Sequence, residues 1–382
     1  MKVLFAGDYC LYDRAAKMSY EELNQALSMV KGVVSGCDYA IVNLECSVFD
    51  TQKHPIKKIG SALHTDSNAL RVLKENGFKC LALANNHFAD FGNDAVKESF
   101  NLIDSYGFDR IGAGMTIEEA RRTLFVEVCG VRLAVINCCE HEFTIADTLD
   151  AGCNPLDPIE QYKAIVNARK QAEYVVVMVH GGSEHYQLPT PRMQKTYRFF
   201  VDAGADVVVN CHQHCYSGYE IYHGKHIFYG LGNFFFDWTK MRNGMWNEGY
   251  LLMFDFSEGG SFELIPYLQC NDKAEIRLLS ADEKTMFEAK IQDLNKVIMD
   301  EGLLESCFSQ WVEKSTKDYL WAFHKPIPRW KRYLRRLGLI GRSNHHVWDS
   351  HLNSNMLITL LSYIRCESHR DIFLELLKRR MG

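Results

Sequence analysis

Short apolar runs alternate with amphipathic segments along the first two thirds of the chain. The runs are rich in β-branched residues, which predicts buried strands. The amphipathic segments between them, such as Tyr20–Val34, predict helices. The main predicted strands are Lys2–Ala6, Tyr39–Leu44, Cys80–Ala84, Tyr174–Val179 and Ala205–Val209.

This alternation predicts an α/β fold, namely a sandwich of two mixed β-sheets flanked by helices. Two later segments, Tyr250–Phe256 and Ser261–Leu268, predict antiparallel strands that close the region. Beyond about residue 270 the pattern becomes mainly helical. We therefore predict one domain over residues 1–270 and a helical C-terminal region over residues 271–382.

Polar side chains follow the predicted strands. His212 and His214 come just after the strand Ala205–Val209. Because residues i and i+2 of an extended backbone point to the same side, we expect both imidazoles to serve one metal or two adjacent metals. The ends of the other strands carry further candidates, which are Asp8, Glu45, Asn86, His87 and His180.

Oxygen and imidazole ligands favour Mn, Fe or Zn of the hydrolytic type, as one or two divalent ions. Two ions sharing a carboxylate would polarise a phosphoryl oxygen and activate a nucleophile. Purely structural alternatives remain open. Asp8 could stabilise a turn or cap a helix, and Glu45 could pair with an Arg or a Lys. A zinc knuckle from Cys211 and Cys215 is a lesser alternative, since alternation along a strand turns the cysteines away from the histidines.

Composition narrows the choice of function. The net charge is -5, so bulk electrostatics do not favour a nucleic-acid partner. The start of the chain has too short an apolar run for a signal peptide, and no stretch approaches the ~20 apolar residues of a membrane helix. The 13 cysteines are scattered, without a CxxC pair. These features predict a cytoplasmic protein with reduced thiols.

One segment, 325–342, combines basic residues with an apolar helical stripe. It contains no acid, and Trp330, Tyr333, Leu334 and Leu337 fall on one helical face. An interfacial helix at a membrane surface, or a contact with an anionic polymer or synthesis complex, fits this pattern. A surface helix that packs its stripe on the main domain fits equally well. The basic residues are Lys325, Arg329, Lys331, Arg332, Arg335, Arg336 and Arg342.

Several short motifs in a fixed order resemble the CapA family of capsule or poly-γ-glutamate synthesis proteins, which in turn resemble calcineurin-like metallophosphoesterases. The match covers roughly residues 1–255. The motifs are Gly7-Asp8, Asn43-Leu44-Glu45, Ala84-Asn85-Asn86-His87 with Asp90 and Gly92, Gly112-Ala113-Gly114, His180 to Glu184 with Pro191 and Gln194, Gly204-Ala205-Asp206, His212 with His214, Glu220, and Leu231-Gly232-Asn233-Phe234.

The resemblance implies a role for each ligand candidate. Asp8 matches the first metal-binding Asp, and Glu45 matches the bridging acid. Asn86 matches a metal ligand, and His87 beside it matches a general acid. The histidines divide between the ions: His180 and His212 are similar to ligands of one metal, and His214 is similar to a ligand of the other.

Substrate contacts are also predicted. Glu184 and His185 follow two glycines that allow close approach to the backbone, so either residue could orient substrate. Three further motif residues, Asn85, Glu220 and Asn233, are predicted as additional substrate contacts. For His87 a purely structural role remains open, in which it bonds Asp90 and holds its loop.

The chain departs from the family pattern at several positions. Cys10 stands where phosphoesterases have a His, which implies a weaker first metal site. Gly181, His185 and Gln213 also differ, and the family's N-terminal membrane anchor is not recognised. Three functions follow: a metal-dependent hydrolase of a phosphoester or an anionic polymer, a non-catalytic assembly factor that binds metal, polymer or a synthesis complex, and a membrane-surface accessory acting through residues 325–342.

Overall fold

The computed structural model describes residues 1–257, 260–321 and 354–381, so the basic segment 325–342 lies outside the described residues. The strands are β1 (Lys2–Cys10), β2 (Tyr39–Leu44), β3 (Ser47–Val48), β4 (His64–Thr65), β5 (Cys80–Ala82), β6 (Asp109–Ile111), β7 (Ala113–Gly114), β8 (Leu124–Val128), β9 (Val131–Cys139), β10 (Gly152–Cys153), β11 (Tyr174–His180), β12 (Val207–Cys211), β13 (Tyr219–Tyr222), β14 (Lys225–Phe228), β15 (Asn233–Phe236), β16 (Glu248–Asp255), β17 (Ser261–Gln269) and β18 (Ile276–Leu278).

The helices lie between and after these strands. They are α1 (Tyr20–Ala26), α2 (Ser28–Ser35), α3 (Asn68–Glu75), α4 (Gly92–Ser105), α5 (Ile117–Ala120), α6 (Pro158–Arg169), α7 (Pro191–Asp202), α8 (Ala281–Met299), α9 (Glu301–Trp321), α10 (Ser354–Arg365) and α11 (Glu367–Met381). Ser, Thr or Asp caps begin several of them. At α7, for example, the Thr190 hydroxyl accepts a hydrogen bond from the backbone of Met193.

Two mixed sheets organise the fold. The first has the order β18-β17-β16-β1-β2-β5-β6, and β15 also pairs with β1. Within it β1, β2, β5 and β6 run parallel, whereas β16 to β18 are antiparallel. The second has the order β13-β14-β12-β11-β9-β8 with a parallel centre. In each sheet, the carboxyl ends of the parallel central strands therefore lie at the same edge.

The core lies between and outside the sheets. Apolar side chains of β1 and β2, such as Phe5 and Ile41, pack in one buried cluster with Val176 and Val209 of the second sheet. The outer face of the first sheet is covered by α1 to α4, and that of the second by α6 and α7. The predicted α/β sandwich of two mixed sheets flanked by helices is thus confirmed.

The C-terminal helices are joined to this core by partly or fully buried polar contacts. In α11, Asp371 accepts a hydrogen bond from Arg192 of α7 at 2.6 Å, and the same guanidinium contacts Glu140 at 2.5 Å. The backbone N–H of Ser368 also donates to Glu140, at 3.1 Å. We call Glu140, Arg192 and Asp371 the clamp. The division at residue 270 stays a prediction, although β18 continues the first sheet beyond that position.

Two predicted elements differ in extent from the structure. The first strand was predicted to end at Ala6, but β1 continues to Cys10 with an irregular register between Asp8 and Tyr9. The segment Tyr20–Val34 forms two helices that meet at Leu27 instead of one. The apolar period continues across Leu27, so periodicity alone does not reveal the break.

Candidate functional site

The polar residues predicted at strand ends converge where the two sheets meet. Asp8 lies in β1 and Glu45 follows β2, both in the first sheet, whereas His180 ends β11 and His212 follows β12 of the second sheet. The carboxyl ends of parallel strands are the usual ligand-binding edge of α/β sheets. The site is therefore assembled from both halves of the sandwich.

Asp8 is held by a close backbone approach and by two donors. A Cβ on the preceding Gly7 would lie 1.8 Å from the carbonyl oxygen of Gly232, so only glycine allows β1 to pass there. The carboxylate of Asp8 accepts hydrogen bonds from Asn43 Nδ2 at 2.8 Å and from the backbone N–H of His212 at 3.2 Å. These contacts orient the fully buried carboxylate toward the centre of the site.

Glu45 lies at the centre of the cluster. Its side chain is completely buried, and among the described residues neither carboxylate oxygen has a hydrogen-bond partner. The Nε2 atoms of His180 and His214 lie 3.6 and 3.8 Å from Glu45 Oε1. Burial, reinforced by the nearby Asp8, raises the pKa of Glu45 well above its ordinary value. A buried carboxylate without donors is costly unless a cation compensates it.

One set of ligand atoms gathers around His180. Its Nε2 lies 3.0 Å from Asn86 Oδ1 and 3.0 Å from His212 Nδ1. Burial and the neighbouring His212 lower the pKa of His180 well below its ordinary value, so the imidazole is neutral at pH 7. Neutral imidazole is the form that binds metal. Glu45, His180 and His212 together form one potential ligand group.

His214 belongs to a second group with Asp8 and Glu45. Its Nδ1 lies 2.9 Å from Asn233 Oδ1 and 3.5 Å from Asp8 Oδ2, and its ring packs on Trp246 at 4.5 Å between centroids. Burial acts to lower the pKa of His214, but Glu45 and Asp8 outweigh it and raise the pKa to about 10. A cation that displaced this proton would take over the same role of neutralising the two carboxylates.

The backbone around the two histidines corrects the predicted local geometry. They were expected in extended backbone, pointing to the same side. Strand β12 instead ends at Cys211, and His212 and His214 have φ values of 96° and 53°. The left-handed region is unfavourable for residues other than glycine and is commonest at functional sites. With this bend, His212 lies in one ligand group with Glu45 and His214 lies in the other.

The donor set fits divalent metal. Two groups of oxygen and nitrogen ligands share Glu45, and the ligand atoms of each group lie within 4.8 Å of one another. Hard carboxylate and borderline imidazole ligands suit Mn, Fe or Zn. The unsatisfied oxygens of Glu45 provide the structural reason for a cation at this point. Neither Cys211 nor Cys215 belongs to these groups within the described part of the chain.

His87 lies beside the ligands in a charged contact of its own. Its Nδ1 is 2.7 Å from Asp90 Oδ2 and 3.3 Å from Lys58 Nζ. Lys58 also donates to the carbonyl oxygen of Asn86 at 3.0 Å. Burial and the Lys58 ammonium lower the pKa of His87, although Asp90 acts in the opposite direction. The ring is therefore neutral at pH 7 and is held in one orientation by Asp90.

A cavity of about 550 Å³ opens beside the two potential ligand groups that share Glu45. Several of the predicted site residues line it directly, whereas Asp8, Glu45 and His180 lie behind its wall. The lining set is Asn86, His87, Glu184, His185, His212 and His214. His185 is held with φ 60° by a backbone hydrogen bond to Gln213 at 2.8 Å.

Three predicted substrate residues lie outside the cavity lining. Asn85 is buried, and its side chain bonds the backbone of Leu44, His87 and Phe88. Asn233 orients His214 and donates to Trp246. These two residues hold the loops that carry the site. Glu220 instead contacts Arg198 at 2.9 Å and accepts from the Tyr229 hydroxyl, away from the cavity.

One wall of the cavity is formed by residues that were not predicted from the sequence. Lys58 lies in a loop without regular structure that contains other lysines, so no sequence pattern distinguishes it as a site residue. Other lining residues come from the C-terminal helices, which pattern analysis does not connect with strand ends. They include Trp311 of α9, Ser362 of α10, and Ser368, His369 and Ile372 of α11. The cavity therefore depends on residues more than 200 positions apart.

Cys10, which stands where the resemblance predicts a ligand histidine, does not take part in the potential metal site. Cys10 is fully buried in β1 and stays outside both ligand groups. Burial, together with the neighbouring Cys46, raises its pKa well above the ordinary value, so it is a neutral thiol. The group of Asp8, Glu45 and His214 therefore has one imidazole, whereas the group of Glu45, His180 and His212 has two.

Fold and site together define a class: two-sheet α/β proteins with a buried carboxylate–imidazole cluster at the joined sheet edges. Within this class, the chain belongs to the family described as "Bacterial capsule synthesis protein PGA_cap", whose model matches residues 2–238. This confirms the resemblance drawn from the motifs. The C-terminal helices lie beyond the matched residues.

Similar proteins carry names from the same family. The PGA biosynthesis protein CapA of Bacillus subtilis (strain 168) is 29% identical over 302 residues, which cover 76% of this chain and 78% of that protein. The capsule biosynthesis protein CapA of Bacillus anthracis is 31% identical over 224 residues, covering 56% of this chain and 54% of that protein.

A solved structure similar to the chain is a 5'-nucleotidase precursor from Thermus thermophilus. It has a TM-score of 0.44 and 13% identity, covering 78% of this chain and 59% of that chain. Within residues 1–257, 260–321 and 354–381, every helix is too short or too polar to span a bilayer.

Proposed function

We propose that the protein is a metal-dependent hydrolase that acts in capsule or poly-γ-glutamate synthesis, on a phosphoester or on an anionic polymer. The observation that carries this proposal is Glu45, a buried carboxylate without hydrogen-bond partners in the described structure, shared by two ligand groups. The cluster around it opens on a cavity of about 550 Å³, which has room for a substrate.

The proposed ligands are the residues that surround Glu45. Asn86, His180 and His212 would hold one divalent ion with Glu45, and Asp8 and His214 would hold a second. Mn, Fe or Zn fits this donor set. A bound ion of this type polarises a phosphoryl or acyl oxygen and lowers the pKa of water. The neutral imidazoles are ready to bind it without first losing a proton, except for His214.

His87 is the proposed proton donor to the leaving group. It borders the cavity beside Asn86, and its contact with Asp90 fixes the ring. Lys58 also lines the cavity, and its ammonium is paired with Asp90 at 2.5 Å, so it holds the loop of Asn86 and His87 in place. Glu184 and His185, which also line the cavity, are proposed to orient the substrate.

A second candidate is a non-catalytic assembly factor that binds metal or polymer for a membrane synthesis complex. The replacement of a ligand histidine by the buried thiol of Cys10 favours it, because the second ion would have only one imidazole. Such a protein would still bind metal through Glu45 and His212. The two candidates therefore differ in turnover and not in metal content.

The test is phosphoester turnover by the full chain. Metal-free protein is compared with protein supplied with Mn²⁺, using a small chromogenic phosphoester. We expect turnover only with Mn²⁺, and at least a 10²-fold loss in His212→Ala. His223→Asn is the matched control, because His223 is exposed on the turn between β13 and β14 and outside the cavity.

Two results would contradict the proposed hydrolase or its site. If the wild-type protein binds Mn²⁺ but turns over neither a phosphoester nor a poly-γ-glutamate substrate, the hydrolase proposal fails and the assembly factor replaces it. If His212→Ala keeps both its metal and the wild-type rate, the proposed site is wrong.

A further inference from the structure

A separate cluster of potential ligands borders the same cavity on the side of the C-terminal helices. It consists of Glu142, Cys366 and His369. One carboxylate oxygen, the sulfur and one ring nitrogen all lie within 4.8 Å of one another. None of these residues belongs to the groups around Glu45. All three line the cavity.

The cluster is pre-organised by contacts on both sides. Glu142 follows Glu140 and His141 in the loop after β9, and Cys366 and His369 flank the start of α11. The backbone N–H of His141 donates to Glu367 at 2.8 Å, and the backbone N–H of Ser368 donates to Glu140 at 3.1 Å. These bonds join segments 226 and 228 positions apart, so the ligands are already held together by the fold.

The three side chains of the cluster differ in their exposure to the cavity. Cys366 is 1% exposed, and its sulfur lies 3.7 Å from Glu140 Oε2. The side chains of Glu142 and His369 are 13% and 38% exposed, toward the cavity. His369 Nε2 lies 3.9 Å from Glu142 Oε1, which is too long for a hydrogen bond and suits two ligands of one ion.

We propose that Glu142, Cys366 and His369 bind a divalent ion of the zinc class, distinct from the ions around Glu45. Thiolate, imidazole and carboxylate are the ligand types that zinc combines, and three protein ligands with an open fourth position are typical of zinc sites that meet a substrate. All three residues line the cavity, so an ion held by them would be reached from it. Such a cation would add a positive charge to the cavity lining and would tie α11 to the loop after β9.

The experiment uses Co²⁺ in place of Zn²⁺, because cobalt bound to a thiolate has a sulfur-to-metal charge-transfer absorption. Metal-free full-length protein is titrated with Co²⁺, and Zn²⁺ is then added. We expect a charge-transfer band whose saturated intensity corresponds to one thiolate-bound Co²⁺ per chain, whatever Co²⁺ the ligand groups around Glu45 also take up, and we expect the band to disappear when Zn²⁺ displaces Co²⁺. Cys366→Ser should abolish the band, and His369→Gln should weaken Co²⁺ binding more than tenfold.

Two matched variants separate this site from other thiols. Cys10→Ser removes the thiol beside the group of Asp8 and His214, and Cys307→Ser removes a half-buried thiol of α9. Both should keep the band. Cys366→Ser should also keep the metal that His212→Ala removes, which shows that the variant is folded and that the sites are independent.

The proposal is overturned by either of two outcomes. Absence of a thiolate band in the wild-type protein would mean that Cys366 only packs beside Glu142. A band that survives in Cys366→Ser but not in Cys10→Ser would assign the thiol to the other site. The first outcome would leave the proposed hydrolase unaffected, because its metal is measured separately through His212, whereas the second would add Cys10 to the ligands of that site.

Discussion

At the scale of single residues, the buried carboxylate of Glu45 and the ring of His87 have different proposed roles: Glu45 binds metal, and His87 transfers a proton. Glu45 has no hydrogen-bond donor in the described structure, so its burial is stabilised when a cation binds. His87 has donors and acceptors around it, namely Asp90 and Lys58, and belongs to neither ligand group. A change at His87 should therefore affect proton transfer and leave metal binding intact.

We predict that His87→Gln lowers phosphoester turnover by about 10²–10⁴-fold with unchanged metal content. The pKa of His87 is lowered by burial and Lys58, with His214 acting in the same direction and Asp90 in the opposite one. A general acid acts in its protonated form, so the His87-dependent part of turnover should increase as pH falls below 6.5 toward this lowered pKa. The measurement is the pH profile of turnover in both proteins.

A structural role for His87 would give another pattern. His87→Gln would then lose metal or thermal stability together with activity, and the two pH profiles would have the same shape. Elemental analysis and a melting curve of the variant distinguish the two roles.

At the scale of elements, the clamp determines whether α11 can form a wall of the cavity. Glu140 and Arg192 are in contact at 2.5 Å, and Arg192 also holds Asp371. Burial alone raises the pKa of the Glu140 carboxyl, but Arg192 and Ser368 outweigh it and lower the pKa to about 2. Glu140 therefore stabilises the fold fully above its ordinary pKa of 4.5 and loses that contribution as pH falls toward 2.

We predict that Glu140→Gln lowers the free energy of unfolding by about 3 kcal/mol at pH 7, because it removes the buried carboxylate and leaves the partly buried Arg192 with Asp371 alone. The difference from wild type should shrink as pH falls from 4.5 toward 2. Urea denaturation at several pH values is the measurement. Glu375→Gln, which removes a half-exposed pair with Arg379 on the same helix, is the control and should cost less than about 0.5 kcal/mol. Equal effects of the two variants would contradict the clamp.

The elements also show how far the sequence predicts this site. The strands ending near Glu45 and His180 are apolar and continuous, so their ends and the polar residues there were predictable. The bend at His212 and His214 was not, because left-handed φ values in residues other than glycine arise from tertiary contacts such as that of the His212 N–H with Asp8. The contribution of α11 depends on contacts over more than 200 positions, which no local pattern contains.

At the scale of the whole molecule, the two sheets each supply half of a metal-type site, and the C-terminal helices close the cavity above it. Asp8 and Glu45 come from the first sheet, and His180, His212 and His214 from the second. The ligand groups exist only when the sheets pack face to face. Metal binding should therefore be linked to folding of the whole sandwich and not to one strand or loop.

The most direct test of this account is the metal content of purified Glu45→Gln, determined by elemental analysis beside wild type and His212→Ala. The variant keeps the size of the side chain but removes the charge that both ligand groups share. We predict that it loses more metal than His212→Ala, which belongs to one group only. Metal content equal to that of wild type in Glu45→Gln would contradict the shared site around which the account is built.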